Sequence, residues 1–192
     1  MNLLHSFTFN TKRYFILFVT GGLLAGCTSL PDTSAPARLG LTLPPAALGN
    51  TISVQQHLKV ERHGQINELD VALEVDPDHI ALVGLALGQR VLSLEYDGYA
   101  LTSWRHPMLP SQVRAKDVLE DVQLTLWPLE AIAQYLPENW HIEEQGLQRT
   151  LYQQQTVIAT ITYSNLPRWG STIVLDNLRY QYRLTIQSVP SS

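Results

Sequence analysis

From Thr51 onward the apolar positions of this 192-residue chain recur every second residue, the spacing of strands with one buried face. Val54, Leu58 and Val60 share one face of a first strand, which Gln56 interrupts, and His63-Gly64-Gln65 reads as a turn. Leu69, Val71, Leu73 and Val75 then alternate with Asp70, Ala72 and Glu74. Asp76-Pro77-Asp78 ends that run, because Pro presets φ and Asp bonds its local backbone. Further strands are expected over 79–83, 90–96 and 99–105, the last two joined by Asp97-Gly98, a strong two-residue hairpin signal. The pattern predicts an antiparallel meander with tight connections.

After Pro107 and Pro110 the period lengthens. Ser111 is placed to cap a helix over 113–121 with Val118, Leu119 and Val122 on one stripe. Trp127-Pro128 breaks that helix and puts Pro at the first position of a second. Leu129, Ile132, Ala133 and Leu136 follow at helical spacing until Pro137. Strands return over 140–143, 148–153 and 157–163, followed by a loop at 166–170 and a strand over 172–176. A final strand is expected over 178–189, with Leu178, Tyr180, Tyr182, Leu184 and Ile186 on one face and Arg179, Gln181, Arg183, Thr185 and Gln187 on the other. The expected fold is mainly β (α+β): a half-open, curved antiparallel barrel covered by an inserted helical segment. The space between sheet and helices is then either packed or a cavity for an apolar guest.

The chain ahead of the first strand reads differently. Lys12 and Arg13 precede an apolar run over 14–24, and Leu24-Ala25-Gly26-Cys27 follows. A charged start, a short apolar stretch and small residues at the cut make a secretory signal peptide. The run is short of the about 20 apolar residues of a bilayer span. A cut before Cys27 resembles a bacterial lipobox, which implies that Cys27 is lipidated. Residues 28–50 are rich in Pro, Ala, Ser, Thr and Gly without a sustained period, the composition of a flexible tether with some order at 41–48. The expected organisation is therefore a signal peptide over 1–26, a lipidated Cys27 and tether over 27–50, and one domain over 51–189. Thr28 and Ser29, rather than an Asp, follow the cysteine, which points to the periplasmic face of the outer membrane of a Gram-negative bacterium.

Charge and composition narrow the function. Loss of Lys12 and Arg13 leaves 11 cations against 17 carboxylates, a net charge of −6, so no nucleic-acid partner is expected. Cys27 is the only cysteine, which excludes an intrachain disulfide and a thiolate metal site. No Gly-x-Ser-x-Gly occurs, and His57, His63, His79, His106 and His141 show no zinc-ligand spacing. Glu143 and Glu144 are adjacent and point to opposite faces of a strand. No catalytic residue, metal or cofactor is expected, and a monomer is. The aromatic residues Trp104, Trp127, Trp140, Trp169, Tyr180 and Tyr182 remain as candidates to line an apolar pocket, against the alternative of ordinary core.

Residues 82–89, Leu-Val-Gly-Leu-Ala-Leu-Gly-Gln, are followed by Val91-Leu92-Ser93-Leu94-Glu95, by Asp97-Gly98 and, beyond a helical segment, by Leu126-Trp127-Pro128-Leu129. This series resembles the outer-membrane lipoprotein receptor of the lipoprotein-localisation pathway, the LolB-like family with its soluble carrier relative LolA, over roughly residues 52–187. Leu43-Pro44-Pro45, Leu82-Val83-Gly84-Leu85 and Leu126-Trp127-Pro128 are more similar to a group of lipoproteins encoded beside aryl-polyene biosynthesis genes. The resemblance implies a half-open barrel lidded by helices, with a cavity for acyl chains received from a periplasmic LolA-like carrier. The expected cavity lining is Leu73, Leu94, Trp104, Leu119, Trp127, Ile132, Tyr180 and Tyr182. It also implies a membrane-inserting loop at Leu85 and Leu87, with Ala86 standing where the family often has Pro. The rival expectation is a structural or assembly lipoprotein with a filled core, acting through protein contacts.

Overall fold

Alternation of burial along the strands sets the architecture. The structure, a computed structural model, describes residues 38–190. Its strands are β1 (Ile52–Arg62), β2 (Gln65–Val75), β3 (Ile80–Ala86), β4 (Gln89–Tyr96), β5 (Leu101–Arg105), β6 (Trp140–Gln145), β7 (Gln148–Gln153), β8 (Thr156–Tyr163), β9 (Thr172–Asn177) and β10 (Tyr182–Pro190). Helices α1 (Ala115–Leu126) and α2 (Leu129–Tyr135) lie between β5 and β6. All ten strands form one antiparallel sheet in the order β5-β4-β3-β2-β1-β10-β9-β8-β7-β6. The chain therefore starts at the sheet centre, walks to one edge, crosses by the helices to the opposite edge and walks back. The edges β5 and β6 do not pair, so the sheet stays open. This is the expected fold class.

One face of the sheet packs against the helices. Val71, Leu73, Val75, Ile80, Leu82, Leu94, Ile161, Ile173 and Leu175 are buried together with Leu119, Leu124, Trp127 and Ile132 of the helical insertion in one cluster. Full burial of such a side chain contributes about 1.5–3 kcal/mol. Residues of β4 and β7 both reach the helical insertion, which requires the sheet to wrap around it. Gln56, the break in the first apolar run, is buried and donates to Ser188 Oγ at 3.0 Å across the β1–β10 pair.

The register places the connections at two ends. At the first lie β1–β2, β3–β4, β7–β8 and β9–β10, together with the exit of β5; Tyr182 marks this end. At the second lie β2–β3, β4–β5, β6–β7 and β8–β9; Asp97 marks it. The Asp97 carboxylate accepts from the amides of Tyr99 and Ala100 at 2.8 and 2.7 Å, the local bonding expected of a turn Asp.

Four elements differ from the expectation. The β4–β5 connection spans 97–100 and not Asp97-Gly98 alone, so β5 begins at Leu101. Helix α1 begins at Ala115 and runs to Leu126, and Ser111 does not cap it; its N-cap is Arg114, whose side chain instead pairs with Asp117 at 2.7 Å. The last strand begins at Tyr182, because 178–181 form the β9–β10 turn, with Gln181 at φ 53° and the Tyr180 amide donating to Asn177 Oδ1 at 3.0 Å. The domain also begins earlier than residue 51. Pro36–Ser192 is one compact unit, and Leu41, Leu43, Pro45 and Leu48 are core, so 39–48 is not tether. Cys27, the expected signal peptide and 28–37 lie outside the described residues.

Candidate functional site

The interior beneath the helices is where an apolar guest is expected, and the chain's own residues 38–48 lie there. This strap enters at the Tyr182 end, where the Arg38 guanidinium donates to Asp121 Oδ1 at 2.8 Å and to the Tyr182 hydroxyl at 3.1 Å. It leaves at the Asp97 end, where Pro45 lies against Gly98, and then turns into β1. In between, Leu41, Leu43 and Leu48 are buried at 3, 0 and 2% exposure.

The strap pairs with no strand: 38–44 are irregular, with Gly40 at φ 72°, and Pro45–Leu48 form one 3-10 turn. Between Gly40 and Pro44 its backbone bonds to side chains of α1 and of Trp127 at the helix C-cap, and Pro44 O also accepts from the Ala47 amide at 3.0 Å. Gln123, fully buried, accepts from the Leu43 amide at 2.9 Å and donates to the Leu43 carbonyl at 2.8 Å. Glu120 Oε2 accepts from the Gly40 and Leu41 amides at 2.6 and 3.4 Å. The indole N–H of Trp127 donates to the Pro44 carbonyl at 3.3 Å. Buried backbone groups require partners, and α1 supplies them where a neighbouring strand is missing.

A charge cluster closes the entry. Arg38 sits among Asp117, Glu120 and Asp121, within 3.9, 3.5 and 2.8 Å. Burial pushes the Glu120 and Asp121 carboxyls above their ordinary range, against the pull of Arg38. Burial, with Asp121 alongside, pushes the Tyr182 hydroxyl up as well, keeping it a neutral donor. The Arg38 guanidinium also lies 4.7 Å from the Tyr180 ring centroid and 5.4 Å from that of Tyr182.

The far end of α1 is held by the opposite edge of the sheet. Arg149 of β7, fully buried, donates to the carbonyls of Leu124 and Trp127 at 2.7 and 3.0 Å, and the Tyr163 hydroxyl donates to Thr125 O at 2.9 Å. These bonds satisfy carbonyls that a helix terminus leaves without partners. Glu144 balances Arg149 at 2.8 Å and Arg168 at 2.7 Å.

The expected lining residues divide into three groups. Leu73, Leu94, Leu119, Trp127 and Ile132 are buried in the shared core with the strap leucines. Tyr180 and Tyr182 stand half-buried at the strap's entry around Arg38. Trp104 is not with them: it is 42% exposed on edge strand β5, 4.9 Å from the Arg90 guanidinium. Trp169 is half-buried at the Asp97 end and packs against the core. The expected open apolar cavity is therefore absent among the described residues, because the strap occupies it. Two shallow surface depressions stand out instead, of about 370 Å³ over Asp176–Tyr182 and about 250 Å³ beside Trp104, and neither includes a residue of the strap or helices.

Leu85 and Leu87 lie at the β3–β4 tip. Leu87 is fully exposed at φ 51°, followed by Gly88 at φ 73°. A left-handed leucine costs about 1–2 kcal/mol, and here no burial offsets it. Gln123, Glu120, Arg38 and Arg149 are the residues that sequence reasoning missed. Their signal was weak: a polar side chain at Gln123, four residues after Leu119 on the buried stripe.

The sequence pattern of a family described as "Protein of unknown function (DUF3261)" matches residues 53–190. The chain belongs to this family. The DUF3261 match starts one residue inside β1 and so leaves the strap outside it. No curated protein matches this DUF3261 chain. Among solved structures, the LolA superfamily protein NE2245 from Nitrosomonas europaea is similar at 11% identity and a TM-score of 0.42, over 80% of this chain and 92% of that one. Among the described residues no helix is long and apolar enough to cross a membrane.

Proposed function

We propose that this protein is a lipid-anchored envelope lipoprotein that takes an acyl chain into the space beneath α1 and α2, without catalysis, and returns it to the membrane. The observation that carries the reading is the strap. The middle of an apolar hollow is filled by a segment that belongs to neither the sheet nor the helices and is clasped by α1 side chains. Such a filling can leave without unpairing a single strand. Its departure uncovers Leu73, Leu94, Leu119, Trp127 and Ile132, the surface on which a hydrocarbon tail would lie. Each CH₂ removed from water there contributes about 0.8 kcal/mol, so a tail of some ten such groups competes with three buried leucines at about 1.5–3 kcal/mol each.

The anchor is Cys27, at the periplasmic face of the outer membrane, and the donor is a periplasmic carrier of the LolA kind. The chain type is that of a lipoprotein or an aryl-polyene lipid, in line with the resemblance of 43–45, 82–85 and 126–128. Leu87 serves as the membrane-inserting tip, supported by its complete exposure in a strained backbone conformation. The filled interior with a fully buried Trp127 favours a second reading, a structural or assembly lipoprotein without a guest. Native mass spectrometry of the full protein extracted from envelope membranes separates the two. Acyl lipid bound in addition to the anchor supports carriage; a protein that carries only its own anchor, even after incubation with free acyl lipid, supports the assembly reading.

A further inference from the structure

We infer that the whole Tyr182 end of the sheet, and not one loop tip, is the face that docks on a lipid bilayer carrying anionic headgroups. Three observations converge on this end. First, the strap enters there, so the chain leading back to Cys27 emerges there. Ten residues, 28–37, separate Cys27 from Arg38, and the eleven Cα–Cα steps limit the reach to about 40 Å even when fully extended. Second, apolar side chains stand out to water around its rim at successive connections: Ile66 at 57%, Leu87 at 101%, Met108 at 66% and Leu178 at 55%. Third, the two ends differ in charge. At the Tyr182 end Glu61 and Asp176 are matched by Lys59 and Arg183, and Arg90, Arg105 and Arg179 stand beside a single further exposed carboxylate among the described residues, Glu138, whereas the tips at the Asp97 end present Asp76, Asp78 and Asp97 and their Arg168 is matched by Glu144.

The Asp97 end also exposes apolar residues, Tyr99 at 97% and Leu166 at 61%, so exposure alone does not choose between the ends. Charge does. An anionic surface attracts a basic segment by about 1 kcal/mol per Arg close to it and repels carboxylates. Apolar side chains set among cations enter the boundary between headgroups and acyl chains. Among the described residues these arginines contact aromatic rings, carbonyls and the Gln153 side chain and not carboxylates. The Arg179 guanidinium lies 5.0 Å from the Trp140 ring centroid, that of Arg90 4.9 Å from Trp104, and Arg105 donates to Leu109 O at 2.6 Å. Docked in this way, the strap's entry faces the bilayer, so a chain leaving the hollow past Arg38 would meet the membrane directly. That last consequence rests on the carriage reading; the docking face itself does not.

The test uses the compact unit Pro36–Ser192, which contains every described core residue and lacks Cys27. Co-sedimentation is measured with vesicles of phosphatidylglycerol and of phosphatidylcholine. The expected result is binding at least tenfold tighter to phosphatidylglycerol. The double substitution Arg105→Glu with Arg179→Glu, and separately Met108→Glu with Leu178→Glu, should each weaken it at least tenfold. Tyr99→Glu with Leu166→Glu should leave it within twofold. All six positions are solvent-facing or half-exposed, and circular dichroism verifies that each variant folds. Absent binding to phosphatidylglycerol, or equal loss from substitutions at the two ends, overturns the docking face. Because neither the anchor nor an acyl guest is present, failure here is distinct from failure of acyl-chain carriage.

Discussion

Gln123→Leu isolates the clasp on the strap. The replacement keeps the side-chain volume nearly constant and buries a good helix former, so packing changes little. It removes both partners of Leu43, leaving an amide and a carbonyl unpaired in the interior. Each buried group without a partner costs about 1–3 kcal/mol. Some of this is returned by the extra apolar surface, which leaves about 2–4 kcal/mol of destabilisation. With a urea m-value of about 1–3 kcal/mol/M for a small protein, the midpoint should fall by about 1–2 M at unchanged slope. Hydrogen exchange reports the site directly, since the Leu43 amide is predicted to lose protection by at least tenfold while amides of the central pair β1–β10 keep their ranking. An unfolding free energy within about 0.5 kcal/mol of wild type, with Leu43 still protected, would show that the strap is held by something other than α1.

Two further outcomes follow from the buried charges. Glu120 and Asp121 have folded-state values pushed up from ordinary values of 4.5 and 3.8. Above those ordinary values the folded protein binds more protons than the unfolded chain, so their contribution falls as pH rises toward neutrality. Thermal melts of Glu120→Gln should therefore show a flatter decline than wild type from about pH 4.5 upward; a parallel decline would count against the burial of this carboxyl. Arg149→Met leaves the Leu124 and Trp127 carbonyls unpaired and takes from Glu144 one of its two cations. By the usual cost of breaking a buried pair it should destabilise by about 3–5 kcal/mol in urea unfolding; a loss below 1 kcal/mol would place Arg149 outside the core.

Much of the sheet could be read from the sequence because one face is wet and the other packed. Alternation through Leu69–Val75 and Leu184–Ile186 then records the geometry without ambiguity. Proline and Asp-Gly punctuation marked the turns for the same local reasons that operate in the fold. The β9–β10 turn escaped because Leu178 and Tyr180 keep the parity of the strand that follows, so the pattern runs on through four residues of turn. The strap escaped for a different reason. Its partners are the side chains of Gln123 and Glu120, some eighty positions away, and a segment bonded to side chains leaves no period of its own. Gln123 and Arg149 in turn look like interruptions of apolar faces, because their value lies in backbone groups that only the folded chain brings near. Of the expected lining, Leu73, Leu94, Leu119, Trp127 and Ile132 sit in the core, Tyr180 and Tyr182 at the strap's entry and Trp104 outside, and the pattern is silent about what fills the space between them.

On the proposed reading, the hollow under α1 and α2 exchanges its strap for a hydrocarbon chain. Photo-crosslinking with a diazirine-bearing acyl chain, followed by peptide mass spectrometry on the full protein, tests it most directly. Adducts are expected on Leu119, Trp127 and Ile132, reduced by excess unlabelled lipid and increased by Gln123→Leu. Adducts confined to the outer rim at Leu87 and Leu178, or none that lipid competes away, would contradict it.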